Sequence, residues 1–210
     1  MRVLVFGDSI TYGIWDTAGG WVQRLRTHYD KLQLADNPFE YEQPSIFNMG
    51  VGGDDTNDVL MRFDADTKGR IWHDEEFAFI FAVGINDSYT SDDKKEFTPA
   101  QYGRNLQLLI SKARKFSNKI LFVGITPVDE TQRVQEKDTL YINKRILEFE
   151  EVLCQICEQD SLPYVSVYQT LKDEMVDGVR LFDDGLHPND TGHELIFQLV
   201  RPELDKLLNT

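Results

Sequence analysis

Ser9 stands in "MRVLVFGDSITYG", with only Gly7 and Asp8 between it and the apolar run 3–6. A serine hydroxyl becomes a nucleophile when a base takes its proton and a carboxylate holds that base in the right tautomer. Four histidines are available. His28 lies mid-way along a helical stretch, and His73 lies in "RIWHDEEF" ahead of a strand, at the end of a sheet away from the serine. His193 falls in the first turns of the last helix. His187 precedes that helix in "FDDGLHPND", a turn rich in Gly, Pro and Asp. Asp184 stands three residues before it, so one tight turn brings carboxylate and imidazole within hydrogen-bonding reach. Pro188 favours extended backbone at His187 and can begin the helix. Asp183 and Asp190 are rival carboxylates without that spacing.

Acyl transfer also needs donors fixed in advance for an oxyanion. In "NMGVGGDDT" three glycines allow positive φ and a close backbone approach to a substrate. In "VGIND", Gly84 permits a turn and Asn86 offers a neutral amide donor. Each motif has a plainer use. Asp8 or Ser9 can cap a helix, the glycines can simply turn the chain, and Asn86 can close an Asx-turn.

These residues need a scaffold that gathers them. Short β-branched or aromatic runs at 2–6, 45–49, 77–83, 119–125 and 164–167 alternate with amphipathic stretches at 19–34, 54–65, 99–117, 138–160 and 189–208. Strands this short and apolar are buried on both faces. That predicts a five-stranded parallel sheet with right-handed crossovers and helices on either side, a three-layer α/β/α sandwich. Ligands in such sheets bind outside the carboxyl ends of the strands. Ser9, the glycine turn, Asn86 and the polar connections 86–99 and 127–138 all follow strands in this pattern.

At 210 residues the chain suits one domain, 1–210, without repeat or linker. A net charge of −14 opposes binding to phosphate backbones and anionic lipid, so no nucleic-acid or membrane partner is expected. No apolar run is long enough for a transmembrane helix or a secretory signal core, which points to a cytoplasmic protein. Cys154 and Cys157 have C-x-x-C spacing inside a helical pattern with no second ligand pair, and are expected to be small hydrophobes on one helix face rather than a metal or redox site.

Taken together, the chain resembles the GDSL-type, or SGNH, hydrolases. "FGDSITYG" resembles the family's nucleophile block, "NMGVGGDDT" its glycine block, "VGINDS" its asparagine block and "DGLHPND" its Asp-x-x-His block. The resemblance implies a flavodoxin-like sheet and metal-free hydrolysis of esters or thioesters, with no cofactor. It implies Ser9 as nucleophile, His187 as general base then acid, Asp184 as orienting carboxylate, and Gly53 and Asn86 as oxyanion donors beside the Ser9 N–H. The extra glycine in the second block leaves Gly52 as a rival to Gly53. Tyr12, Trp15 and Trp21 follow the serine and either line an acyl or leaving-group pocket or pack a helix against the sheet. The polar, acidic loops favour a short acyl ester of a small soluble alcohol or sugar. Two other readings stand beside this one: a Mg²⁺-dependent phosphoryl-transfer site built from Asp8, Asp54, Asp55 and Asp87, and a binding module on the same fold without turnover.

Overall fold

The structure is a computed structural model and describes every residue except 37, 38, 41, 92–95, 133, 134, 137, 138 and 210. Five parallel strands, β1 (Arg2–Gly7), β2 (Ser45–Gly50), β3 (Phe77–Ala82), β4 (Ile120–Val123) and β7 (Tyr164–Val165), lie in the order β2-β1-β3-β4-β7. That is the doubly wound order of flavodoxin-like sheets, with the reversal of direction between β1 and β3. β1 pairs along its whole length with both neighbours, from Arg2 opposite Ser45 and Phe77 to Gly7 opposite Gly50 and Ala82. Its apolar run has no exposed surface at all, which explains why it reads as continuous rather than alternating.

Helices α1 (Ser9–Tyr12), α2 (Gly20–Ala35), α3 (Thr56–Lys68), α4 (Pro99–Ala113), α5 (Asn143–Gln159), α6 (Tyr168–Val176) and α7 (Asp190–Leu208) complete the layers. Local chemistry sets several of their starts. Asp55 and Asp58 form a capping box on α3; Thr98 and Gln101 form another on α4, with Pro99 in its first turn. Asn189 caps α7, accepting from the N–H groups of Thr191 and Gly192. The helix therefore begins after Pro188, which instead pairs with Phe182 in an isolated bridge. Phe6, Phe81 and Phe122 stack across neighbouring strands with centroids 5.9 and 5.3 Å apart. Burying each such ring contributes about 1.5–3 kcal/mol.

Two expectations need correction. Residues 139 and 140 do not begin a helix: Thr139–Leu140 is strand β6, paired antiparallel with β5 (Gln135–Glu136), and α5 starts only at Asn143. Residue 138, where the periodicity predicts that helix to start, and parts of the connections 86–99 and 127–138 lie outside the described residues. The two cysteines also part company, Cys157 lying in the core and Cys154 exposed.

Candidate active site

The crevice at the carboxyl end of β1 is built by close backbone approach. A Cβ on Gly7 would fall 2.3 Å from the Ala82 carbonyl and still closer to the Thr11 side chain, so only glycine fits there. Directly after it Asp8 caps α1, its carboxylate accepting from the Ile10 N–H at 2.9 Å. This single short turn ends at Gly13, φ +94°, whose N–H returns to the Ser9 carbonyl. Ser9 is thus the first residue of a stiff helical turn at the end of a central strand, and is 6% exposed.

Its hydroxyl meets a side chain 178 residues away. His187 Nε2 lies 3.0 Å from Ser9 Oγ, and His187 Nδ1 lies 2.7 Å from Asp184 Oδ2. The carboxylate can only accept, which puts the ring proton on Nδ1 and the lone pair on Nε2, facing the serine. Asp184 Oδ1 accepts from the backbone N–H groups of Leu186 at 2.9 Å and His187 at 2.7 Å. Partial burial works against its charge, yet hydrogen bonds from the His187 ring and from those two N–H groups hold the carboxyl well below the usual range. The loop is anchored from outside too, Gly185 presenting its carbonyl to the Asp129 N–H after β4 at 2.8 Å.

The glycine turn is fastened to the same strand end. The Val51 N–H donates to the Gly7 carbonyl at 3.1 Å, and the Asp54 N–H closes the turn on Val51 at 3.2 Å. Gly53 takes φ +85° at the third position of this turn, whereas Gly52 is not in the left-handed region. The two glycines thus differ in backbone conformation. Asn86 Nδ2 donates to the Asp54 carbonyl at 3.0 Å, and the Tyr141 hydroxyl donates to Asn86 Oδ1 at 2.9 Å. Because Asp54 offers an acceptor, the amide orientation is fixed and its second N–H is left for another partner. Tyr141 belongs to no motif that would single it out in the sequence. It follows β6, whose Leu140 is bridged to Thr90 in the chain after β3.

The remaining candidates separate. Trp21 is 1% exposed and belongs to the core, while Tyr12 and Trp15 are about three-fifths exposed on the nucleophile side. The Trp15 indole Nε1 donates to Asp184 Oδ2 at 2.8 Å, a contact that no periodicity announces. His193 is fully buried, and burial pushes it down to about 4, so it is neutral at physiological pH. The four aspartates of the phosphoryl-transfer reading are each engaged separately. Asp8 and Asp55 cap helices, Asp54 pairs with Arg62 at 2.6 Å, and Asp87 accepts from the Thr56 N–H and hydroxyl. Among the described residues no three acidic, His or Cys side chains gather as a metal site, and that reading is not favoured.

Solved structures share this architecture. A lipase/acylhydrolase from Enterococcus faecalis superposes with a TM-score of 0.73 over 98% of this chain and 95% of that one, at 25% identity. The acetylxylan esterase Axe2 from Geobacillus stearothermophilus gives 0.72 over 97% and 93% at 19% identity, a likeness of fold. In sequence, an isoamyl acetate-hydrolyzing esterase 1 homolog from Rattus norvegicus is 24% identical over 219 aligned positions, spanning all of this chain and 83% of the relative. The model of the GDSL-like lipase/acylhydrolase family matches residues 5–195. The chain belongs to that family and is an esterase-type enzyme, a hydrolase of acyl esters.

Proposed function

We propose that the chain, acting as one unit over residues 1–210, hydrolyses short acyl esters of a small soluble alcohol or sugar through an acyl-Ser9 intermediate. The observation that carries this is the 3.0 Å approach of His187 Nε2 to Ser9 Oγ, with the ring's other nitrogen committed to Asp184. Ser9 Oγ attacks the ester carbonyl carbon as Nε2 takes its proton, and the carbonyl π pair moves onto oxygen. Asp184 keeps the imidazole in the receptive tautomer and steadies the imidazolium that forms. The oxyanion faces the N–H groups of Ser9 and Gly53 and the free N–H of Asn86. The tetrahedral species collapses, the C–O bond to the alcohol breaks, and His187 returns its proton to the leaving oxygen. Water then repeats the sequence on the acyl-enzyme and restores Ser9.

The preference for short acyl groups is supported by the exposed aromatics that follow the serine in sequence, Tyr12 and Trp15, two side chains rather than a broad apolar surface. The name of the rat relative, which records hydrolysis of an acetate ester of a small alcohol, supports it too. A fluorophosphonate probe is expected to label Ser9 stoichiometrically, and nitrophenyl acetate to be cleaved faster than nitrophenyl palmitate, with full activity in excess chelator. Labelling elsewhere would remove the nucleophile assignment; preference for palmitate would remove the substrate class.

A further inference from the structure

Trp15 occupies the left-handed region with φ +66°, which a bulky residue enters only when its surroundings impose it. It is flanked by residues tied to the two elements that matter. On one side the Ile14 N–H donates to the Ser9 carbonyl at 3.1 Å, joining the segment to the helical turn of the serine. On the other, the Asp16 carboxylate accepts from the Ala18 and Gly20 N–H groups at 2.7 and 3.1 Å and pairs with Arg24. Arg24 in turn reaches α7, donating to Glu194 at 3.0 Å and to the Asp190 carbonyl at 3.3 Å. α7 is the helix that directly follows the His187 loop. The strained residue is therefore held between the nucleophile turn and the base loop. From there its indole Nε1–H meets Asp184 Oδ2, the same oxygen that receives His187 Nδ1–H. Its ring stands edge-on to the imidazole at 87°, with centroids 6.4 Å apart.

We propose that Trp15 is a positioning residue for the hydrolytic reaction, its indole N–H fixing the rotation of the Asp184 carboxylate and, through it, the aim of His187 at Ser9. Asp184 is only partly enclosed, its side chain being 41% exposed. Its two backbone donors both bind Oδ1. The oxygen that holds the imidazole is thus secured from outside the loop by Trp15, where water would otherwise compete. A donor shared on one charged oxygen narrows the carboxylate's swing, and proton transfer depends steeply on that geometry.

This inference rests on the assignment of Ser9 and His187 made above, so the experiment first establishes fluorophosphonate labelling of Ser9 in the unaltered enzyme. Trp15→Phe keeps an aromatic ring and removes the donor. The expected result on nitrophenyl acetate is a loss of about tenfold in kcat with KM changed by less than about twofold. The labelling rate should fall in parallel, and Tm should stay unchanged because the side chain is largely exposed. In an Asp184→Ala background the same substitution should cost less than about twofold, since the residue through which it acts is gone. A rise in KM with kcat retained would make the ring a substrate contact and overturn the proposal. So would an equal loss in the Asp184→Ala background, or no loss at all. Should Trp15→Phe lower Tm, benzothienylalanine at position 15, the same ring shape with sulfur in place of N–H, decides the matter without altering packing. If Ser9 is not labelled in the unaltered enzyme, the nucleophile assignment fails and this proposal with it. If labelling is normal and unchanged by the substitution, only the role of Trp15 fails.

Discussion

Among the described residues, the side chain hydrogen-bonded to the Ser9 hydroxyl is the His187 imidazole. Replacing Ser9 with Ala removes a single buried oxygen from a residue whose backbone still begins α1, so the fold should persist. Activity should fall by about 10⁴-fold or more, the scale seen when members of such a triad are deleted. A folded Ser9→Ala protein that keeps most of its esterase activity contradicts the mechanism. Asn86→Ala removes the proposed oxyanion donor along with its bonds to Asp54 and Tyr141, and should lower kcat by about 10²–10³-fold. Single-turnover acylation rates against unchanged substrate binding check it. The Asp184 and His187 pair was legible because the two residues lie in one turn and their spacing carries their geometry. The bonds from Trp15 to Asp184 and from Tyr141 to Asn86 span 169 and 55 residues. They arise from tertiary placement, and neither side chain's neighbours in sequence hint at its target.

At the level of elements, the strands were legible because burial on both faces leaves them continuously apolar, and the long helices because one apolar stripe repeats each turn. α1 and α6 escaped for the complementary reason. Four residues cannot display a helical period, and α6 buries only Tyr168 and Leu171. The β5–β6 ribbon escaped because two-residue strands carry no alternation. That ribbon nevertheless matters to the chemistry. Leu140 and Thr90 exchange backbone hydrogen bonds at 2.8 and 2.9 Å, and Arg145 in α5 donates to the carbonyls of Tyr89 and Phe97. The segment after β3 is thereby clamped beside Tyr141, whose hydroxyl sets the Asn86 amide. Tyr141→Phe should leave KM nearly unchanged and lower kcat by about tenfold, less than Asn86→Ala, because the donor remains but is held by Asp54 alone. Equal kcat values for Tyr141→Phe and the unaltered enzyme would show that Asp54 alone suffices to orient it.

Across the whole molecule, buried ionisable groups make stability depend on pH. Burial drives the Asp87 carboxyl up from 3.8 to about 7, against the opposing hydrogen bonds of Thr56, and likewise raises Asp8 to about 6. A raised folded value means the folded chain holds the proton more tightly. The stabilising contribution of these two carboxyls is complete below about pH 4 and is lost as pH climbs through 6 and 7. His193 runs the other way. Burial lowers it from 6.5 to about 4, so its contribution is complete above 6.5 and is lost as pH falls through 4. Asp87→Asn removes one titration while its amide oxygen can still accept from Thr56. Relative to the parent, this variant should gain stability between about pH 4 and pH 8, by a few kcal/mol at about 1.4 kcal/mol per unit of displacement. Urea midpoints at both ends of that range measure the gain; a difference that stays constant with pH refutes it.

The separation between Ser9 and His187 has a further consequence for how the enzyme comes into being. On the mechanism proposed above, a polypeptide emerging from the ribosome presents the nucleophile 178 residues before its base, so a translation product that stops short of His187 lacks the group that activates Ser9. On that mechanism, turnover begins only when the loop between α6 and α7 that carries the imidazole has docked beside Ser9, and the onset of catalysis during synthesis times a late step of folding.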